Sequence, residues 1–273
     1  MNFSSFIGFA MAGTVFIAAL MTSTKNYMVF LDTHAMLIVI GGTISASCIC
    51  FPIGKVLGMI KVFMRRILGG GKRDFLALID EIVALAAANR RGKQAFEGAV
   101  NKVKDPFLKD AAQVLFWLDA EVSKEELRDL LETRAETVYE RYSSEANIFR
   151  IMSKFPPAFG LLGTSLGMIS LLQGLGSSDA KNNIGPSMSI ALVATLYGIV
   201  AANFVFIPIA ENLTQQTKED LISRRIVVEG VMLIADDKPT QYVEEKVKSF
   251  LLPGERGKRG AVNRPPPKAA KAA

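Results

Sequence analysis

The sequence predicts an all-α fold: a polytopic membrane protein with four transmembrane helices and a helical cytoplasmic domain between helices 2 and 3. Three observations predict it. Half of the 273 residues are apolar although the chain carries 32 basic and 26 acidic residues, so apolar and charged segments must be segregated. Four tracts, Met1 to Thr24, Ala35 to Gly54, Phe155 to Ser178 and Asn182 to Ala210, contain no Asp, Glu, Lys or Arg. Each supplies the roughly 20 mostly apolar residues that a helix rising about 1.5 Å per residue needs to cross ~30 Å of hydrocarbon. No stretch shows the two-residue alternation of a half-buried strand.

Residues 1–54 read as a first transmembrane hairpin. The first tract lacks the basic leader of a secretory signal, and no hydrophilic domain follows before the next tract, so it is expected to stay as an uncleaved span. In the second tract, Cys48 and Cys50 lie on opposite sides of one helix, which a normal disulfide cannot bridge. They are expected to pack as small hydrophobes. His34, the single histidine, has no partners for a metal site.

Lys55, Lys61, Arg65, Arg66, Lys72 and Arg73 follow the second tract with no acid before Asp74, whereas Lys25 and Lys181 are the only basic residues in the two short loops. The positive-inside bias places residues 55–154, everything after 211, and both termini in the cytoplasm. Within 55–154, "KVLGMIKVFMRRILGG" mixes apolar and basic residues as a helix lying along the inner headgroup layer does. After "GGGKRD", Leu76, Ile79, Val83 and Ala86 recur at helical spacing until Asn89-Arg90-Arg91-Gly92, so two helices joined by a basic turn are expected. Residues 107–118, "FLKDAAQVLFWL", form another amphipathic stretch. Ser123 and Glu126 match a capping box. It opens a helix of nearly thirty residues, with Leu127, Leu130, Leu131, Val138 and Tyr142 as its apolar stripe, running into the third tract.

Residues 155–210 read as a second hairpin, 211–252 as cytoplasmic C-terminal helices and 253–273 as a disordered tail with six basic residues against one Glu. Contact with anionic membrane lipids accounts for the tail's charge, and no motif supports nucleic-acid binding. No catalytic triad, metal cluster or phosphate loop points to an enzyme, and no cofactor is expected.

The second hairpin carries the functional signal. Gly160, Gly163, Thr164, Gly167, Ser170 and Gly174 fall on one helix face, and Ser187, Ala191, Ala194, Thr195, Gly198, Ala201 and Ala202 on another. Such faces either pack closely against each other or line a path to which Thr164 and Thr195 offer oxygens. Pro157 suits the first turn of the third span. Pro208 deprives the Phe204 carbonyl of its helical donor and is expected to bend the fourth. Charged intramembrane residues mark proton and ion relays, and these spans have none. If protons pass, another chain must bring the carboxylate.

The blocks "PAFGLLGTSLGM" from Pro157 and "ALVATLYGIVAANFVFIPIAENL" from Ala191 resemble the A subunit of the bacterial flagellar motor stator, the MotA/PomA family. The resemblance extends to about residue 250. It implies a multi-pass protein of the bacterial inner membrane. A homo-oligomeric ring of A subunits would surround two single-span B subunits, MotB/PomB-like, each carrying an intramembrane Asp. It also implies a rotor partner similar to FliG. The family's prolines fall on Pro157 and Pro208 and its pore threonines on Thr164 and Thr195. Sodium-type members usually have a second threonine where this chain has Ala194, so the missing oxygen favours H+ over Na+. The family's rotor-facing "ARxxGxxALE" corresponds to "ANRRGKQAFE": Glu97 matches, the usual first Arg is Asn89, and Arg90 and Arg91 are displaced. Without the resemblance these charges read as a solvated turn. The competing functions are an ExbB/TolQ-like energiser of outer-membrane transport or gliding, whose members have three spans, and a membrane scaffold without ion flux.

Overall fold

The computed structural model describes residues 3–23, 27–63, 74–115, 123–175 and 180–256, and all of its regular structure there is helical. Lys25, Arg65, Arg66, Lys72, Arg73, the end of the 107–118 stretch and the tail from residue 257 lie outside the described residues, as does the side chain of Lys181. Three helical runs are long and apolar enough to cross a membrane: Met28–Cys50, Lys124–Gly174 and Ile184–Ala235. The first tract forms α1 (Phe3–Ser23), whose Ile7–Ser23 part is a shorter apolar helix.

The chain divides into two compact units, 1–72 with 140–217 and 73–139 with 218–273. The second unit joins parts of 55–154 and of 211–252 around one core.

In the first unit, Asp32 starts α2 (Thr33–Met36) by accepting the Ala35 N–H at 2.8 Å, relieving one of the donors a helix start leaves unpaired. A π-helical stretch, Leu37–Gly41, leads into α3 (Gly42–Cys50). The run ends at Cys50 rather than Gly54. Phe51 is extended and Pro52, which has no N–H to continue the ladder, opens α4 (Ile53–Val62) instead. Met59 on α4 joins Phe149, Met152, Ile209, Ala210 and Leu213 in an apolar cluster, while Lys55 and Lys61 stay exposed. Cys48 is half-buried and Cys50 exposed, so within the chain the expected packing is partial for Cys48 and not formed for Cys50. His34 is exposed, and no cluster of metal-ligating side chains occurs among the described residues.

The second unit holds the helices of the charged segment. Asp74 caps α5 (Phe75–Asn89), accepting the N–H groups of Leu76 and Ala77 at 3.1 Å. Gly92, at φ 109°, turns the chain into α6 (Lys93–Val100) through a conformation that disfavours any Cβ. Asp105 caps α7 (Pro106–Val114). The capping box forms: the Glu126 carboxylate accepts the Ser123 N–H at 2.8 Å and the Ser123 hydroxyl accepts the Glu126 N–H at 3.2 Å. It opens α8 (Lys124–Met152), 29 residues long. The stripe on α8 is Leu127, Leu131 and Ala135 before Ala146 and Phe149; Leu130, Val138 and Tyr142 are only half-buried. α8 does not run unbroken into the third tract, because Ser153 and Lys154 form a turn ahead of Pro156 and Pro157.

α9 (Phe155–Gly174) and α10 (Ala180–Val200) follow, and a second π-helical stretch, Ala201–Phe206, leads into α11 (Ile207–Ala235). No break separates the fourth tract from the charged residues after 210. α12 (Thr240–Lys248) comes next, and the first residues of the tail form a short turn of helix, α13 (Pro253–Arg256), whose Arg256 donates to the carbonyls of Leu251 and Ser249. The core of the second unit is built on Ile79, Ile82, Leu85, Leu108, Leu127, Leu131, Ile226, Val231 and Val243. Burying such side chains stabilises by roughly 1.5–3 kcal/mol each before chain entropy is counted.

Candidate functional site: the paired small-residue helices

α9 and α10 pack along the two small-residue faces. A Cβ on Gly163 would lie 2.5 Å from the Ala194 Cβ, one on Gly167 2.8 Å from the Ala191 Cβ, and one on Gly198 2.5 Å from the Pro156 carbonyl oxygen. Any larger residue would force the helices apart, and in a membrane this close approach supplies the dispersion contacts that hold helices together. Of the two roles open to these faces, the buried glycines and alanines serve packing.

The hydroxyls occupy the edge of the same seam. Thr164 and Thr195, both half-buried, hydrogen-bond to each other. The Thr164 hydroxyl also lies 3.1 Å from the carbonyls of Gly160 and Ala191, and that of Thr195 3.3 Å from Ala191 and 3.5 Å from Gly160. Two hydroxyl protons thus face four acceptor atoms, so donor and acceptor can exchange roles without either group losing a partner. That is a polar step inside an apolar helix pair. Further along, the hydroxyls of Ser170 and Ser187 approach to 3.4 Å.

Ala194 is fully buried, clustered with Ala35, Val39 and Val193 and facing Gly163 in the seam, whereas Thr164 and Thr195 are half-buried. Pro156 and Pro157 sit in the first turn of α9, where their missing N–H groups leave nothing unpaired; Pro157 is half-buried. Pro208, also half-buried, lies just beyond the π-helical stretch. There the Ile207 N–H reaches back five residues to Ala202, so the widened turn absorbs the donor that Pro208 lacks.

Tyr197 adds a further tie, one that no sequence motif marks. Its hydroxyl donates to the Phe30 carbonyl and accepts the Asp32 N–H at 3.3 Å, fastening α10 to the segment that starts α2. An aromatic residue two places beyond Thr195 was the available signal, but its partners are 165 and 167 residues away.

In the second unit Arg90, Arg91 and Glu97 are exposed around the turn between α5 and α6. Arg90 and Arg91 lie in the turn and Glu97 within α6, and none of the three forms an ion pair shown among the described residues. Asn89, where the resembling family has an Arg, is half-buried, with its amide 3.0 Å from the Asp237 carboxylate and 3.5 Å from the Ile234 carbonyl. Lys124 donates to Asp236 at 2.8 Å on the neighbouring turn and holds that carboxyl below the usual carboxylate range.

Comparison with known proteins fits this geometry. The model of the MotA/TolQ/ExbB proton channel family matches residues 99–226. The chain is 28% identical to the chemotaxis protein PomA of Vibrio alginolyticus over 259 residues, 94% of this chain and 98% of that protein. It is 29% identical to motility protein A of Borreliella burgdorferi over 262 residues, 94% and 96% of the two chains. The structure of the flagellar MotAB stator complex from Bacillus subtilis superposes with a TM-score of 0.79 and 28% identity, covering 92% of this chain and 96% of that one. The matching family is a family of channel subunits rather than of enzymes. Residue motifs, helical fold and relatives matched over most of their length agree: the chain is similar to members of the MotA/TolQ/ExbB proton channel family.

Proposed function

We propose that the chain is the A subunit of a flagellar motor stator, coupling ion flow across the bacterial inner membrane to torque on a rotor. The observation that carries this is the Thr164–Thr195 hydroxyl pair on a tightly packed seam that starts at Pro156 and Pro157 and contains no carboxylate. A single-span B subunit supplies the missing Asp, and the similar Bacillus subtilis structure is of a MotAB stator complex. Four helices span the membrane, α1 being the first, with both termini cytoplasmic, and several copies form the ring around the partner helices.

The work of the cycle follows from membrane electrostatics. An ionised Asp in hydrocarbon costs several kcal/mol on insertion scales (about 2.5–3.5). Protonation removes that penalty and lets the partner helix slip along the face bearing Pro157 and Thr164. Release of the proton restores the charge and holds the helix in its next position. Pro208 and the π-helical stretch give the fourth span a place to bend. Repeated steps turn the ring against a FliG-like rotor through Arg90, Arg91 and Glu97, whose charges register the contact more than they tighten it. The carried ion is H+: Ala194 is buried and brings no side-chain oxygen, and two hydroxyls already paired are too few ligands for Na+.

Motility of a strain depending on this stator, with proton uptake by vesicles holding both subunits, tests the proposal. Thr195→Val and Pro157→Leu are expected to reduce both; unchanged torque and uptake would defeat it. Charge reversal at Arg90, Arg91 and Glu97 separates a stator, which it cripples, from an energiser of outer-membrane transport, which it leaves indifferent.

A further inference from the structure

Three segments meet at one end of the second unit: the turn after α5, the start of α8 and the turn between α11 and α12. Asp237 in the last of these adopts φ 50°, the one non-glycine residue with positive φ among the described residues. Its carboxylate accepts from the Asn89 amide at 3.0 Å, and the same amide lies 3.5 Å from the Ile234 carbonyl. Asn89 is the residue before Arg90 and Arg91, which project into solvent, and its own carbonyl accepts the Gly92 N–H at 3.1 Å. Lys124 ties Asp236 to the start of α8 beside it. Left-handed backbone costs an ordinary residue about 1 kcal/mol, less for Asp and Asn, so a partner that over-determines Asp237 is needed to hold it.

We propose that Asn89 is a positioning residue: its amide, clamped by Asp237 and Ile234, fixes the direction in which Arg90 and Arg91 are presented to the rotor. Asn89 touches no rotor itself. The turn between α11 and α12 thereby becomes part of the rotor-facing apparatus although it is 148 residues away in sequence. The inference rests on the rotor-contact reading of Arg90 and Arg91.

The test uses the full stator in motile cells, counting rotor-engaged stators by a fluorescent fusion. Proton uptake by vesicles holding the same complex without rotor is the second readout. Asn89→Asp sets a carboxylate against Asp237, and at this exposure a like-charge contact is expected to reduce engagement about two- to fivefold while uptake stays unchanged. Asp237→Asn keeps an acceptor oxygen and tolerates positive φ, so engagement stays at the wild-type level. Combining Asn89→Asp with Asp237→Asn exchanges donor and acceptor across the same contact and restores engagement. Wild-type engagement in Asn89→Asp alone, or a double variant no better than that single one, overturns the positioning role. Should Arg90→Glu with Arg91→Glu leave engagement intact, the rotor-contact reading itself falls, and this inference with it, whatever Asn89→Asp does.

Discussion

Gly198→Ala is the smallest change that tests the seam. The added Cβ would stand 2.5 Å from the Pro156 carbonyl oxygen, 3.0 Å from its carbon and 3.1 Å from the Pro157 Cα, all backbone atoms. Ordinary carbon-to-oxygen approaches begin near 3.3 Å, so α9 and α10 must part by about 0.8 Å here or the first turn of α9 must shift. No flexible side chain is available to absorb it. Overpacking of this size costs about 1–3 kcal/mol. At roughly 2–4 °C per kcal/mol for a chain of this length, the thermal midpoint of the purified complex should fall by several degrees. The displacement lands on Pro156 and Pro157, so proton uptake should fall with it. Gly185→Ala, on the same helix with nothing within 4 Å of the new Cβ, is the control and should leave both readouts unchanged. A Gly198→Ala complex with wild-type midpoint and uptake would refute the close packing of the seam.

The other expectations concern its hydroxyls and ties. Thr164→Val and Thr195→Val in a double-mutant cycle should show coupling of about 0.6 kcal/mol, as interhelical hydrogen bonds in membranes do, and zero coupling would separate the two groups. Tyr197→Phe keeps the ring but loses the bonds to Phe30 and Asp32, and should destabilise by about 1 kcal/mol in thermal unfolding. Replacing sodium by potassium in the medium should leave torque unchanged, whereas collapsing the proton gradient should stop rotation. Asp236 titrates below its unfolded value because Lys124 donates to it, so its stabilisation is present above the unfolded pKa and lost as pH falls through the folded one. The pair is exposed, so Lys124→Met should flatten the acid dependence of unfolding below about pH 4 by well under 1 kcal/mol.

Features set by neighbouring residues were legible in the sequence. The Ser123–Glu126 box, the Gly92 turn and the charge-free tracts each depend on contacts within a turn or two of helix. The small-residue faces were visible too, but period alone could not say whether they packed or lined a path, because both roles select glycine and alanine. Only the partner helix decides: it buries Ala194 completely and leaves the hydrogen-bonded Thr164 and Thr195 half-buried. The ties of Tyr197 to Asp32 and of Asn89 to Asp237 left no local pattern, since each joins residues well over a hundred positions apart. The same holds for the core that merges 73–139 with 218–273. Pro208 announced a disturbance, but not that the helix would accommodate it by widening into a π-helical turn five residues across.

The most direct test is proton uptake by vesicles containing this chain and the proposed single-span B subunit. Uptake should need the intramembrane Asp proposed for that subunit and fall when Thr164→Val and Thr195→Val are combined in this chain. Uptake that survives loss of that Asp, or is indifferent to both hydroxyls, would contradict it.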